Sequence, residues 1–297
     1  MSRLRDALKA ALPAPVRGVL RRGLHYLQRL GRWPVILWQV RGAAWRDRLT
    51  LLASALASPA VALRGLDAWQ DPLLLRDARV RVRGLGEFLV RARTDDLWHV
   101  LPAREPALYA AIGAALREGD VFVDAGANLG VYTVLAARCV GAHGRVVCFE
   151  MMPDTADLLE RHVRLNRLDN VTVVRKALSR RAGDRVVAVV EAGKHGQASI
   201  ARERANPDAR RVEVATTTLD RELAGCARVR LMKLDLEGAE LDALHGAAEV
   251  LQRTEALVYE RWGDAGAATD PVARLLGTAG FACGRLDGNN AIARRPV

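Results

Sequence analysis

The sequence is short of the features that mark staples, membrane spans and nucleotide loops. Its 297 residues include four cysteines, Cys139, Cys148, Cys226 and Cys283, and no two stand in a C-x-x-C pair. That spacing speaks against a zinc or disulfide framework and predicts reduced, buried thiols. Neither G-x-x-x-x-G-K-[ST] nor G-x-G-x-x-G occurs; in "VDAGANLG", residues 123–130, the glycines are Gly126 and Gly130. Long apolar runs are missing as well. The longest uncharged stretch near the start, Leu49 to Leu63, contains Pro59 and is too short to span a bilayer, which takes about 20 residues. Arginines interrupt every apolar run before it, so no signal peptide is expected and a cytoplasmic protein is.

What is present is uneven. Half of the residues are apolar and 27% are charged, as in a soluble domain with a sizeable core. Residues 1–48 hold eleven Lys or Arg against two acids, Asp6 and Asp47, so they carry most of the net charge of +11. Four of the six tryptophans, Trp33, Trp38, Trp45 and Trp69, lie in the first 70 residues. A basic, tryptophan-bearing segment suits an anionic surface; it equally suits a helical extension packed on the body or on a second subunit.

Residues 1–75 read as helices broken by Pro13, Pro15, Pro34, Pro59 and Pro72. Residues 76–104 read as a hairpin lead-in, with Val80 and Val82 on one face and Arg79, Arg81 and Arg83 on the other. A helix over about 106–117 follows, ended by Gly119. From there to 297, strands alternate with helices: "VFVDA", "RVVCFE", "VTVVRKAL", "VRLMKLD" and "EALVYE" are the strands. Asn128 and Asp154 are expected as helix N-caps, and 239–252 as one helix. Residues 180–217 look like an insertion of short strands, and the end of the chain like a closing antiparallel hairpin. The fold expected is α/β: a doubly wound, Rossmann-like, mostly parallel sheet with a basic helical N-terminal extension.

In such a sheet the ligand sits at the carboxyl ends of the strands. Four of those ends are acidic: Asp124, Glu150, Asp235 followed by Glu237, and Glu260. Each alone reads as a cap or a solvated loop. Together they need a cation or hydrogen-bond donors, because crowded carboxylates repel. Asp124 disfavours a pyrophosphate at the loop of Gly126, Asn128 and Gly130, and suits an ammonium, while the next helix N-terminus suits a carboxylate. Glu150 is placed to accept both hydroxyls of a ribose. An amino acid joined to a ribose describes S-adenosylmethionine.

The segments "DVFVDAGANLGVYTVLAA", "GRVVCFE", "HVRLNRLDNVTVVRKALS", "TTTLD" and "LMKLDLEGAELDALHGA" resemble the FkbM-type family of S-adenosylmethionine-dependent methyltransferases over about residues 105–260. The resemblance implies that Asp124, Gly126, Asn128 and Gly130 hold the methionine part and Glu150 the ribose. Met151 stands at the adenine contact, where the family usually has a proline. Asp235 and Glu237 fall at the boundary between cofactor and acceptor. The activity implied is O-methylation of a hydroxyl on a sugar, glycan, glycolipid or polyketide-type acceptor.

Asp235 then reads either as general base or as a positioning group, and Glu237 as a substrate contact or a cap of the following helix. His195, in "GKHGQAS", is a base, a substrate contact or plain surface. Lys233 is expected to pair with a buried carboxylate; His162 and His245 are expected to be structural. Asp235 and Glu237 would suit a divalent ion, though nothing in the sequence requires a metal. The alternative acceptor is RNA or DNA, drawing on the basic N-terminus. Against it, "DLEG" stands where base methyltransferases carry Asn/Asp-Pro-Pro-aromatic, so no nucleic-acid partner is expected. Peripheral membrane contact through residues 1–70, or a lipid-linked acceptor, is expected instead.

Overall fold

The computed structural model describes residues 14–64, 71–191, 198–200, 209–261 and 270–296. His195 and Trp69 lie outside the described residues.

The N-terminal region is less broken than its prolines suggest. Helix α1 (Ala14–Gln39) runs through Pro34, and helix α2 (Trp45–Arg64) through Pro59. A mid-helix proline forfeits a hydrogen bond and costs about 3 kcal/mol. Burial holds α1 together on both sides of the proline, since Arg29, Trp33 and Ile36 share its inner face. Pro15 sits in the first turn, where its missing N–H costs nothing. Between the helices, β1 (Val40–Gly42) pairs antiparallel with β2 (Ala78–Val82), which pairs with β3 (Gly86–Val90) as the hairpin. Val80 and Val82 are buried, as the alternation requires. They share one core with Trp33, Ile36, Leu129 and Val134, so the extension and hairpin pack directly on the α/β domain.

The outer edge of β3 is closed by side chains. Asn166 accepts from the Glu87 amide at 2.9 Å and donates to the Glu87 carbonyl at 2.7 Å. His162, fully buried, accepts from the Leu89 amide through Nε2 at 2.8 Å. Its Nδ1 lies 2.8 Å from the Leu129 carbonyl, which the neutral Nδ1–H tautomer satisfies. Burial lowers its pKa against the pull of both backbone partners, which keeps the ring neutral.

The main sheet follows. β4 (Val121–Ala125), β5 (Arg145–Phe149) and β6 (Val171–Val174) run parallel. The strand expected over "VTVVRKAL" is split at Arg175–Lys176. Its second part, β7 (Ala177–Leu178), joins β8 (Arg185–Val190) and β9 (Arg210–Thr217) in a separate three-stranded sheet, the expected insertion. The chain then returns to the other side of β4 with β10 (Leu231–Leu234) and β11 (Ala256–Glu260), and closes with the antiparallel hairpin of β12 (Ala282–Arg285) and β13 (Asn290–Arg294). The order is β12-β13-β11-β10-β4-β5-β6, so the direction of winding reverses between β4 and β10. Alternate side chains enter cores on opposite faces: Val123, Val147 and Met232 on one, Phe122, Val146 and Leu231 on the other. That double burial explains the unbroken apolar strands.

Three local expectations are corrected. Asn128 does not cap: its φ is +48°, and the next helix starts at Val131 after Gly130. Nor does Asp154, because Pro153 takes the first helical position and leaves Met152 at the cap. The helix expected over 239–252 is two, Glu240–His245 and Ala248–Gln252. A Cβ on Gly246, between them, would stand 2.4 Å from the Ser179 carbonyl, and Asp220 caps the second helix by accepting from the Glu249 and Val250 amides.

Replacing His162 by Leu leaves the Leu129 carbonyl and the Leu89 amide buried without partners. The expected cost is about 1–3 kcal/mol, read by urea denaturation of the full chain. A midpoint unchanged from wild type would show that the histidine does not tie the two segments.

Candidate active site

The reversal between β4 and β10 leaves a crevice at the carboxyl ends of the central strands. A cavity of about 840 Å³, open space at its mouth included, lies there. Gly126, Asn128, Glu150, Met151, Asp235 and Glu237 all line it.

Behind it sits the Lys233 ammonium, on β10 and almost fully buried. It lies 3.4 Å from Asp124, 3.3 Å from Asp235 and 3.1 Å from the Gly126 carbonyl, to which it donates. Burial alone would lower its pKa; Asp235 and Asp124 outweigh that and raise it. Asp124 is therefore not where the sequence puts it. It is fully buried, accepts from the Thr133 hydroxyl at 2.7 Å and faces Lys233 rather than the cavity. Its cation is supplied by the protein.

The loop after β4 turns left-handed three times, at Gly126 (φ +79°), Asn128 (φ +48°) and Gly130 (φ +83°). A Cβ at Gly126 would stand 1.9 Å from the Asp235 carbonyl, so this glycine lets two strand ends meet. The helix Val131–Val140 has no side-chain cap, which leaves first-turn amides toward the cavity. The Asn128 amide nitrogen donates to His99 Nδ1 at 3.3 Å, while its Oδ1 is buried without a partner. An uncapped helix start beside an unpartnered carbonyl fits the carboxylate and ammonium of an amino acid.

Glu150 ends β5. It accepts from the Asn128 amide at 2.9 Å and the Met152 amide at 2.8 Å, which fixes its carboxylate and leaves lone pairs for two hydroxyls. Burial pushes its pKa up to about 7, against the pull of those amides. Met151, Ala177, Leu178, Ala198 and Ile200 make an apolar wall nearby. Such a wall suits an adenine ring, so the donor set as a whole fits S-adenosylmethionine.

At the other end, Asp235, Glu237 and Glu260 bring one oxygen each within 4.8 Å of one another. Burial pushes Asp235 up, but Lys233 and then Arg104 hold it below the usual carboxylate range. Glu260 goes the other way: burial, then Asp235 and Glu237, push it up to about 8. The two neighbours are thus pushed in opposite directions, Asp235 toward the ionised form and Glu260 toward the protonated one. Glu237 is held left-handed (φ +52°), and its carbonyl accepts from the Ser199 hydroxyl at 2.7 Å, which ties the insertion to the site. Glu237 does not cap the following helix, which has no side-chain cap; Glu240 instead ties down the loop before it by accepting from the Leu236 and Gly238 amides.

Sequence reasoning missed His99, Arg104 and Tyr132, which also line the cavity. Tyr132 donates to Glu105 at 2.9 Å, and Arg104 pairs with the same carboxylate at 2.8 Å. His99 stands 3.3 Å from Asp95, four residues earlier. That i,i+4 Asp–His spacing, just before a proline-started helix, was the available signal.

The profile of a family described as Methyltransferase FkbM domain matches residues 124–281. No curated protein matches the chain. Among solved structures it is similar to a SAM-dependent O-methyltransferase from Thermotoga maritima (13% identity, 73% of this chain and 77% of that one, TM-score 0.42). It is also similar to a SAM-dependent methyltransferase from Aquifex aeolicus (15%, 63% and 87%, TM-score 0.35). A third is an rRNA methylase from Streptococcus thermophilus (12%, 65% and 96%, TM-score 0.38). At these scores the likenesses say nothing of the acceptor.

Lys233→Met would leave Asp124 and Asp235 without their cation. The expected loss is about 3–5 kcal/mol by chemical denaturation, and a loss below about 1 kcal/mol would contradict the role of the ammonium. Glu260 holds its proton more tightly in the folded chain than in the unfolded one, where its value is 4.5. Stability from this group is present below the unfolded value and lost as pH rises through about 8. Glu260→Gln should therefore match wild type in thermal melts near pH 5 and exceed it at about pH 9; parallel curves would refute the raised pKa.

Proposed function

Because this chain belongs to the FkbM family of S-adenosylmethionine-dependent methyltransferases, we propose that its acceptor is a hydroxyl of a polyhydroxylated molecule: a sugar, glycan, glycolipid or polyketide-type compound. The observation that carries this is the carboxylate cluster of Asp235, Glu237 and Glu260 beside the cofactor cavity. Ionised carboxylates accept hydrogen bonds from hydroxyls, and a protonated one donates to them. A nucleic acid would instead bring phosphates against these acids.

Bound S-adenosylmethionine supplies an electrophilic methyl on a good leaving group. The protein has to align a nucleophile and remove a proton. Glu150 would hold the ribose, and the Asn128 carbonyl with the helix start at Val131 the amino-acid end. Asp235, with about a quarter of its side chain exposed, orients the acceptor hydroxyl and takes its proton. Its lowered pKa is no obstacle, because the oxygen becomes strongly acidic as its bond to carbon forms. Lys233 keeps Asp235 ionised while the acceptor enters. Glu237 positions neighbouring hydroxyls.

Calorimetry tests the cofactor half. Wild type should bind S-adenosylmethionine, and Glu150→Ala should bind about 10- to 100-fold more weakly, the worth of charge-assisted hydrogen bonds. Affinity should also fall as pH drops below about 7, since Glu150 must be ionised to accept both hydroxyls. No binding by wild type would sink the reading, and a pH-independent affinity would sink the ribose assignment. For the acceptor half, Asp235→Asn should keep cofactor affinity and lose about 10²- to 10⁴-fold in methyl transfer to a screened panel of sugars and glycolipids. Transfer to RNA but to no hydroxyl compound in the panel would overturn the acceptor class.

A further inference from the structure

The described residues expose thirteen large apolar side chains, and eleven belong to α1 and α2. They are not scattered. On α2, Trp45, Leu49, Leu52 and Leu56 follow steps of four, three and four residues, so they form one stripe; each is more than half exposed. Leu51, Ser54 and Ser58, on the opposite face, are buried. On α1, Leu24, Leu27, Val35 and Trp38 fall within one arc, directly away from the buried Trp33 and Ile36. Both helices thus carry a buried face and a separate apolar face. One is used by the core, and the other meets solvent.

The charge around these stripes is of one sign. Between residues 14 and 64 the sequence has nine arginines and a single acid, Asp47. That acid is spent inside the fold, accepting from the Ala44 and Arg79 amides. Arg41, Arg46, Arg48 and Arg83 are exposed. Arg46 lies over the Trp45 ring at 5.3 Å, and Arg83 over the Trp38 ring at 5.1 Å. The two tryptophans end one stripe and begin the next, across the short β1 strand. Neither helix is long and apolar enough to cross a membrane.

We propose that the outer face of α1 and α2 docks on an anionic phospholipid bilayer and lies in its interface. Apolar side chains enter the acyl boundary, Trp38 and Trp45 sit at the headgroup level, and the arginines meet lipid phosphates. A second copy of the chain is a poorer occupant. It would set one arginine-rich face against another, and Asp47, the one acid between residues 14 and 64, is already engaged. The docking is independent of the methyl-transfer reading, since none of the described residues of α1 or α2 lines the cofactor cavity.

Flotation of the full chain with extruded vesicles tests it. Wild type should float with phosphatidylglycerol–phosphatidylcholine vesicles, at least about tenfold more tightly than with phosphatidylcholine alone, and lose binding as salt rises. The variant Trp38→Ser/Trp45→Ser/Leu49→Ser/Leu56→Ser should float at least about tenfold more weakly while keeping cofactor affinity, since all four side chains point to solvent. Equal flotation of variant and wild type would overturn the proposal. So would indifference to phosphatidylglycerol, or a wild-type dimer that these substitutions convert to monomer without vesicle binding in either form. Cofactor binding read on the same samples separates failure of this proposal from failure of the methyltransferase reading.

Discussion

One buried ammonium organises the catalytic end of the molecule. Lys233 is held among two carboxylates and a carbonyl, all within 3.4 Å, at the point where β4 and β10 finish side by side. A lone cation there would be prohibitive; a lone Asp124 would be as bad. Together they are tolerated, and they fix the loop that follows β4 relative to the acid that follows β10. The loop approaches so closely that only glycine fits at position 126. The loop after β4 and the acid after β10 are thus joined through one buried ammonium.

A second constraint comes from outside the sheet. Leu129, between Asn128 and Gly130, is buried in the core of the hairpin and α1, and its carbonyl faces His162. The loop is therefore gripped from two directions: by Lys233 at Gly126 and by the N-terminal core at Leu129. His99, on the segment after the hairpin, adds a third hold through Asn128. Of the three left-handed residues only Asn128 carries a side chain, and these contacts hold its backbone in that conformation.

Much of this was legible in the sequence, because topology converts strand order into neighbourhood. Once five apolar strands alternate with helices, acids at their ends must share one edge, and Glu150, Asp235 and Glu237 do line one cavity. The pairing of Lys233 followed from its place two residues before Asp235. What failed was local. Asn128 and Asp154 look like caps by type, but a left-handed backbone and a proline decide those helix starts. Gly246 breaks a periodic helix because of a carbonyl 67 positions earlier, which periodicity cannot register. Asp124 faces inward because its partner is intramolecular. Glu260 gains its raised pKa only from acids that other strands bring to it. His99 and Arg104 enter through packing of a segment with no strand-end signal, while Tyr132 sits in the first turn of the helix that follows the β4 loop.

The hairpin's borders carry a last implication. β3 has its outer amides answered by His162 and Asn166, and β2 has its outer row answered by β1. Among the described residues, the open border left in that small sheet belongs to a strand three residues long. A chain lacking residues 1–75 but keeping the hairpin would lose β1 and bare the β2 edge that β1 covers, a ready template for another strand. The basic extension therefore also covers a sheet edge that would otherwise stand open.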